Sequence, residues 1–342
     1  MKYRLLGRSG LRVSELCLGT MTFGEDWGWG ASPDESRRMF DAFVAQGGNF
    51  IDTAVNYTNG SSERLVGEFL SSERDRFVLA TKYSLSRRPE DPNASGNHRK
   101  NMMSSVETSL RALKTDYIDL YWLHAWDFLT PVDEVMRGLD DLVRSGKVRY
   151  VGVSDTPAWV VAQANTLAEL RGWTRFVGLQ IEYSLVQRTV ERELLPMARA
   201  LELAVTPWGA LGGGVLAGKT TPQAEDSKRA ANNQGRQTER AVAIAEEVKK
   251  VASEVGRSPS QVSLAWVRQQ PGIIVPILGA RTLRQLQDNL SSLELTLAPE
   301  HLSRLDKVSA VDLGFPHEFL RRDFIRQVIY GQHANNIVNH RP

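Results

Sequence analysis

The chain has a single cysteine in 342 residues, Cys17. One thiol makes no intramolecular disulfide, so the fold must rest on its core, and a reducing compartment, the cytoplasm, is expected. Cys17 lies in an apolar stretch and reads as a small buried hydrophobe rather than a redox centre. No run of 18 apolar residues occurs, so no membrane-spanning helix is expected. The start, MKYRLLGRSG, lacks an apolar stretch of signal-peptide length. An excess of one charge is missing too: 42 Lys and Arg stand against 40 Asp and Glu, a net +2. That balance gives no field to gather nucleic acid. The six histidines show no H-x-x-x-H or H-x-x-E-H spacing, so no metal site is expected. There is no G-x-S-x-G and no kinase signature.

What is present is a regular alternation. Eight short apolar runs recur: ELCLGT (15–20), NFIDTA (49–54), FVLATKY (77–83), YIDLYWLH (117–124), RYVGVS (149–154), FVGLQIEY (176–183), LAVTPWG (203–209) and GIIVPILG (272–279). Amphipathic stretches lie between them, several opening on Ser or Thr as helix caps do. SPDESRRMFDAFVAQGG adds a first-turn proline, acidic residues and a Gly-Gly stop. Strands separated by helices imply parallel pairing through right-handed crossovers. Nearly all-apolar strands imply that both faces are covered. Eight such units predict a (β/α)8 TIM barrel, an α/β fold, with a doubly wound open sheet as the alternative. We read one domain over 1–342, with an N-terminal β-hairpin turning at Ser9-Gly10 as a cap (1–14) and a C-terminal tail (308–342). The tail, rich in aromatics and arginines, has three readings: it folds back on the barrel, packs on a second subunit, or helps close the pocket.

One short motif points elsewhere. Residues 213–220, GGVLAGKT, satisfy the Walker A pattern G-x-x-x-x-G-K-[ST]. A P-loop needs a strand before it and a helix after it. AVTPW (204–208) supplies the strand, but Pro222 and a polar stretch without helical period follow. No later apolar strand ends in a magnesium-holding carboxylate. A nucleoside triphosphatase is therefore not the reading.

In a barrel, polar side chains at the C-terminal strand ends face the active site. Strand two delivers Asp52 and Tyr57, strand three Lys82, strand four His124. A tyrosine titrates near 10 unperturbed, and a neighbouring ammonium lowers that value. Lys82 can play this part if Asp52 keeps it charged. His124 can bond a carbonyl oxygen or relay to the tyrosine. The set describes a tyrosine acting as general acid toward an oxygen gaining charge, as in a carbonyl accepting hydride. Taken singly, each residue also has a plain structural reading: an ion pair, a loop aromatic, a core histidine.

From about Tyr3 to Arg304, an ordered series resembles the aldo-keto reductase superfamily: LGT (18–20), FIDTAVNY (50–57), ATKY (80–83), DLYWLHAWD (119–127), GKVRYVGVSD (146–155), GLQIEYSL (178–185), PWGALGGGVLAGK (207–219) and PILGARTLRQLQDN (276–289). The resemblance implies NADP(H) bound by a barrel without a Rossmann domain. It implies the tetrad Asp52, Tyr57, Lys82 and His124, with Tyr57 as proton donor. Gly19, Thr20 and Met21 would line the cofactor, and Ser154, Asp155 and Gln180 would hold its carboxamide. Trp208, where the family commonly has tyrosine, would stack on the nicotinamide. The loop Gly209, Ala210, Leu211, Gly212 and Gly214 would lie on the pyrophosphate, with Lys219 as counter-charge. Arg281 would pair with a 2′-phosphate, with Gln285 and Asn289 beyond it. Some relatives carry lysine at the Gly279 position and arginine at the Gln285 position; this chain has neither, so NADPH preference would rest on Arg281. Trp27, Trp29, Trp126 and Phe128 are the expected substrate wall. The expected function is reversible reduction of aldehydes or ketones to alcohols on a small-molecule substrate, without nucleic acid or membrane, with a homo-oligomer left open. The alternative is a redox-sensing regulatory subunit resembling potassium-channel β-subunits.

Overall fold

The computed structural model describes residues 1–218 and 238–338. Eight parallel strands form one sheet: β3 (Cys17–Gly19), β4 (Phe50–Asp52), β5 (Val78–Tyr83), β6 (Ile118–Leu123), β7 (Val148–Ser154), β8 (Phe176–Glu182), β9 (Ala204–Trp208) and β10 (Ile277–Leu278). They pair in chain order, with β10 beside β3. The seam between β9 and β10 closes through Val205, which exchanges backbone hydrogen bonds of 2.7 and 2.8 Å with Ile273 and Val275. The sheet is thus a (β/α)8 barrel, as predicted, and the open doubly wound alternative falls. Each expected apolar run contains one strand.

The N-terminal hairpin, β1 (Tyr3–Leu5) with β2 (Arg12–Ser14), plugs the barrel floor. Leu6 and Val13 join the interior cluster of Cys17, Phe50, Val78, Ala80, Leu120 and Trp122. A Cβ at Gly7 would lie 2.1 Å from the Val177 carbonyl oxygen, so only glycine lets the plug seat against the start of β8. Cys17 is fully buried there, a small hydrophobe as expected.

Helices α1 (Pro33–Ala45), α2 (Ser61–Leu70), α3 (Arg99–Leu113), α4 (Val132–Arg144), α5 (Ala158–Arg171), α6 (Leu194–Ala200), α7 (Glu239–Glu254), α8 (Pro259–Arg268) and α9 (Leu283–Leu290) accompany the strands. Ser32, Thr238, Ser258 and Thr282 accept from the N3 amides of their helices, the capping that satisfies otherwise orphaned donors. At α4 and α5 the cap position belongs to Pro131 and Pro157, one residue after the threonines that mark these helices in sequence. α10 (Pro299–Val308), α11 (His317–Arg321) and α12 (Asp323–Tyr330) complete the chain.

Strand side chains alternate between two cores. Phe50, Ala80, Trp122 and Ala204 point into the barrel; Ile51, Leu79, Tyr121, Leu123 and Val205 join the layer beneath the helices. Two residues beyond Phe50, Ala80 and Trp122 come Asp52, Lys82 and His124. The two-residue period therefore lifts these three side chains along the barrel interior to its C-terminal mouth.

Candidate active site

Lys82 and Asp52 are buried in the mouth. Lys82 Nζ lies 2.5 Å from Asp52 Oδ2, donates to the Thr53 carbonyl at 2.7 Å, and donates to Tyr57 OH at 3.0 Å. Gln180 Nε2 donates to the other Asp52 oxygen at 3.2 Å. Burial disfavours the ammonium, yet Asp52 and Tyr57 overcome it, and the Lys82 pKa ends above its ordinary value. The lysine therefore stays charged, as expected.

The tyrosine departs from expectation. Burial lifts the Tyr57 pKa, Lys82 opposes, and the net direction is upward from 10. The ammonium does not make this phenol acidic at rest, because taking a phenolate out of water costs more than the cation returns. The phenol holds its proton at neutral pH. His124 stands edge-on to Tyr57 with ring centres 5.8 Å apart. Burial and the Lys82 charge push its pKa well below 6.5, so the imidazole is neutral. Its Nδ1 is buried without a hydrogen-bond partner among the described residues.

Tyr57 sits on a sharp turn. Thr58, Asn59 and Gly60 follow it with φ of 43°, 52° and 88°, a run of left-handed residues that needs outside support. Thr58 Oγ1 donates to the Phe23 carbonyl at 2.7 Å and accepts from Ser62 N at 3.0 Å. Ser62 Oγ donates to the Thr20 carbonyl at 2.7 Å and lies 2.8 and 2.9 Å from the Thr20 and Thr53 hydroxyls. This buried hydroxyl cluster ties β3, β4 and α2 together directly behind the tetrad. Sequence reading missed Thr53, Thr58 and Ser62 as support; the signal for the last two was the polar run TNGSS (58–62) shortly after the second strand.

The chain matches the aldo/keto reductase family model over residues 15–310. It is a member of that family. It is 40% identical over 329 residues to a norsolorinic acid reductase of Aspergillus flavus, covering 93% of this chain and 84% of the relative. It is 39% identical over 335 residues to an aryl-alcohol dehydrogenase [NADP(+)] of Phanerodontia chrysosporium, covering 90% and 86%. Aldo-keto reductase ausK of Emericella nidulans is 37% identical over 335 residues, covering 93% and 84%. The chain is thus an oxidoreductase fold built for carbonyl chemistry, and a nicotinamide cofactor comes with the family.

For an aldo-keto reductase, the remaining expected residues fall into three groups. Some line open space. Gly212, Gly213 and Gly214 are consecutive left-handed residues, and a Cβ at Gly214 or Gly279 would meet nothing within 4 Å. Two amides of this loop are turned inward, Gly212 N–H to the Gly209 carbonyl at 2.7 Å and Gly214 N–H to the Leu211 carbonyl at 2.9 Å, so what the loop offers is close approach to a backbone without side chains. Gly209 is left-handed beside Glu182, and Ala210 is buried. Met21 is part exposed at the end of β3.

Others are engaged inside the protein. A Cβ at Gly19 would lie 2.6 Å from Ile277, so this glycine serves the β3–β10 contact. The Thr20 hydroxyl donates to the Asp52 carbonyl at 3.0 Å within the buried cluster, and its backbone N–H and carbonyl are bonded to Asp52, Ser62 and Phe23 as well. Gln285 accepts from Arg281 N at 2.9 Å, and Asn289 donates to the Gly279 carbonyl at 3.3 Å. These two side chains shape the Arg281 loop rather than reach out from it. Ser154 is buried at the end of β7, in register with Gln180. Asp155 accepts from Trp208 Nε1 at 3.1 Å. Lys219 lies outside the described residues.

The aromatics divide. Trp27 stands edge-on to Tyr57 at 6.4 Å, with Trp29 5.6 Å from it. Trp126 instead turns outward, lining a small void with Leu123, Val132, Val135 and Val153 between barrel and helices. Alternation explains the reversal: two residues before it, His124 points in, but the strand has ended and the chain turns. Phe128 is 70% exposed on the loop beyond. No cluster of three or more metal-ligating side chains occurs among the described residues, and no described helix is long and apolar enough to cross a membrane.

Proposed function

We propose that the chain is an NADP(H)-dependent reductase of aryl aldehydes and ketones, running in reverse as an alcohol dehydrogenase. The observation that carries this reading is the 3.0 Å contact between the buried, Asp52-clamped Lys82 ammonium and the Tyr57 hydroxyl. When bound, the cofactor supplies hydride to the carbonyl carbon. The protein then has to receive the charge that develops on oxygen. Tyr57, protonated because burial raises its pKa, donates to that oxygen as a general acid. An alkoxide is a far stronger base than a phenolate, so the transfer runs downhill even from a phenol raised above 10. Lys82 then stabilises the phenolate left behind. Its charge matters at that moment rather than at rest. The neutral His124 ring, edge-on to Tyr57, supplies a second hydrogen bond to the same oxygen.

The side-chain-free backbone at Gly213 and Gly214 would let the pyrophosphate approach closely, and Arg281 would take the 2′-phosphate. Trp27 and Trp29 would flank a flat substrate. Aryl alcohols, for which the Phanerodontia chrysosporium relative is named, fit that wall. The complete tetrad favours turnover over the redox-sensing subunit.

Tyr57→Phe tests the reading. Reduction of benzaldehyde, followed by NADPH absorbance, should fall by a factor on the order of 10²–10⁴, with NADPH binding unchanged. Near-full turnover in the variant would overturn the role. A panel in which aliphatic aldehydes outrun aryl ones would overturn the substrate class alone.

A further inference from the structure

Asp155 takes no part in the proton chemistry above, yet it stands in the same mouth. It follows Ser154, the last residue of β7, and its backbone N–H donates to the Gln180 carbonyl at 3.2 Å. Its φ is +39°, the left-handed region, which Asp and Asn tolerate better than other side chains do. This turn holds the carboxylate under the Trp208 indole, whose N–H it accepts. The charged and titratable groups facing it come from several elements. Lys82 arrives from β5, Glu182 from β8, and Tyr57 from the turn after β4. The residue is exposed at the mouth, held by the Trp208 indole beside the neighbouring Ser154 hydroxyl, so its carboxylate is fixed in place yet open to a ligand that enters there.

A carbonyl whose oxygen rests on Tyr57 must have the hydride donor within about 3–3.5 Å of its carbon. Trp27 and Trp29 wall the mouth on one side of Tyr57. The nicotinamide ring is left the floor formed by the ends of β7, β8 and β9, which is where Ser154, Asp155, Gln180 and Trp208 lie. The two redox forms of the cofactor differ in charge only at that ring, which is cationic when oxidised and neutral when reduced. A fixed carboxylate beneath it therefore tells them apart.

We propose that Asp155 is a charge-matching residue for the oxidised ring, making the protein hold NADP⁺ more tightly than NADPH. The inference rests on the cofactor assigned under the proposed function. Overall equilibrium between carbonyl and alcohol is untouched, since no enzyme moves it. What changes is the population of the enzyme: NADP⁺ becomes a strong product inhibitor of reduction, and alcohol oxidation starts from a well-occupied complex.

The preference must follow the charge on Asp155. Desolvation by the surrounding walls of the mouth pushes its pKa up to about 6, with Glu182 adding to the rise and Trp208, Lys82 and Ser154 opposing it. Below that pH the group is neutral and blind to the ring; above it the carboxylate favours NADP⁺. Tyr57 and Lys82 keep their protons and His124 stays neutral through the neutral range, so none of these three titrates with it. The 2′-phosphate of the cofactor titrates nearby, but it is common to both forms and cancels in the ratio of their dissociation constants.

The test is direct binding. Dissociation constants for NADP⁺ and NADPH are measured by quenching of tryptophan fluorescence at pH 5 and pH 8, in the wild type and in Asp155→Asn. Asparagine adopts the same left-handed backbone and can still accept from Trp208. In the wild type, the NADPH-to-NADP⁺ ratio of dissociation constants should rise by a factor on the order of tenfold between the two pH values, as expected for unit charges at close range in a partly shielded site. Asp155→Asn should hold the low-pH ratio throughout. A wild-type ratio that does not change with pH overturns the inference without recourse to any variant. So does an equal rise in Asp155→Asn. Failure of either form to bind the wild type would overturn both this inference and the cofactor assignment, whereas tight binding with a constant ratio leaves the cofactor assignment standing.

Discussion

Gly152 shows how a single position supports the tetrad from below. It sits on β7, and a Cβ there would lie 2.3 Å from two ring carbons of Trp122. Gly178 on β8 makes the same room at 2.9 Å. Trp122 is the largest fully buried side chain inside the barrel, and it is two residues before His124 on the same strand. Adding a methyl at 152 has no flexible neighbour to absorb it. Gly152→Ala should therefore destabilise by about 1–3 kcal/mol, read as a lower midpoint in chemical denaturation, and should also reduce kcat by displacing His124. Gly10→Ala, where a Cβ meets nothing within 4 Å, should stay within about 0.5 kcal/mol. A Gly152→Ala protein of wild-type stability would mean Trp122 repacks freely. At this scale the sequence was informative because a strand has a fixed period: once Phe50, Ala80 and Trp122 are interior, Asp52, Lys82 and His124 must be too. What the period could not supply was degree of burial. The direction of the Tyr57 shift, the outward turn of Trp126 and the internal engagement of Thr20, Gln285 and Asn289 all depend on neighbours distant in sequence.

At the scale of elements, α2 and β5 share a buried acid. Glu63, in the first turn of α2, is 1% exposed and accepts from the Thr81 hydroxyl at 2.6 Å. Burial pushes its pKa up from 4.5 to about 7 against the nearby Ser109 hydroxyl, the Thr81 hydrogen bond and the charges of Arg87 and Lys82. The folded state thus binds a proton that the unfolded chain releases near 4.5. Stability from this group is fully present below the unfolded value and declines as pH rises toward about 7. The difference is on the order of 3 kcal/mol across that window. Glu63→Gln keeps an acceptor for Thr81 and cannot ionise. Its melting temperature should change less between pH 5 and pH 8 than the wild type's, and should exceed the wild type's at pH 8. Equal slopes would show that Glu63 is ionised or relaxed in the folded state. Element placement was largely legible from apolar runs and caps. α8 escaped because nearly every residue from Ser260 to Val267 is buried, so no polar face marks a helical period. The same absence of pattern hid the hydroxyl cluster behind Tyr57, which is built from Thr20, Thr53, Thr58 and Ser62 rather than from any periodic signal.

Across the whole molecule, the barrel ends energetically before the chain does. α10 is pinned to the body: Arg188 donates to Asp306 Oδ1 at 3.1 Å and to the buried Ser309 hydroxyl at 2.7 Å, and Trp266 Nε1 donates to Asp306 at 3.1 Å. Arg192 then holds the Asp312 carbonyl at 2.6 Å, and His317 meets Glu193 at 3.0 Å. Beyond Ser309 no described residue is buried. The tail thus touches the body through those contacts at Asp312 and His317 but places none of its described side chains in a core. Phe315, Phe324, Val328 and Val338 are 66–89% exposed, an apolar surface that contributes little to the folding of a single chain. Truncation after Leu313 should accordingly leave the melting temperature within about 2 °C, since no buried apolar area is lost. Truncation after Ala298 removes α10 and with it the partners of Arg188 and Trp266. It leaves the largely buried Arg188 guanidinium with only its Glu191 pair and removes the fully buried Leu305 from the core, a loss of several kcal/mol, and should lower the midpoint by many degrees or abolish folding. Both are read by thermal denaturation of the purified proteins. If truncation after Leu313 lowered the midpoint as far as truncation after Ala298 does, the boundary at Ser309 would be wrong, and the exposed aromatics would have to carry stability through contacts beyond the single chain.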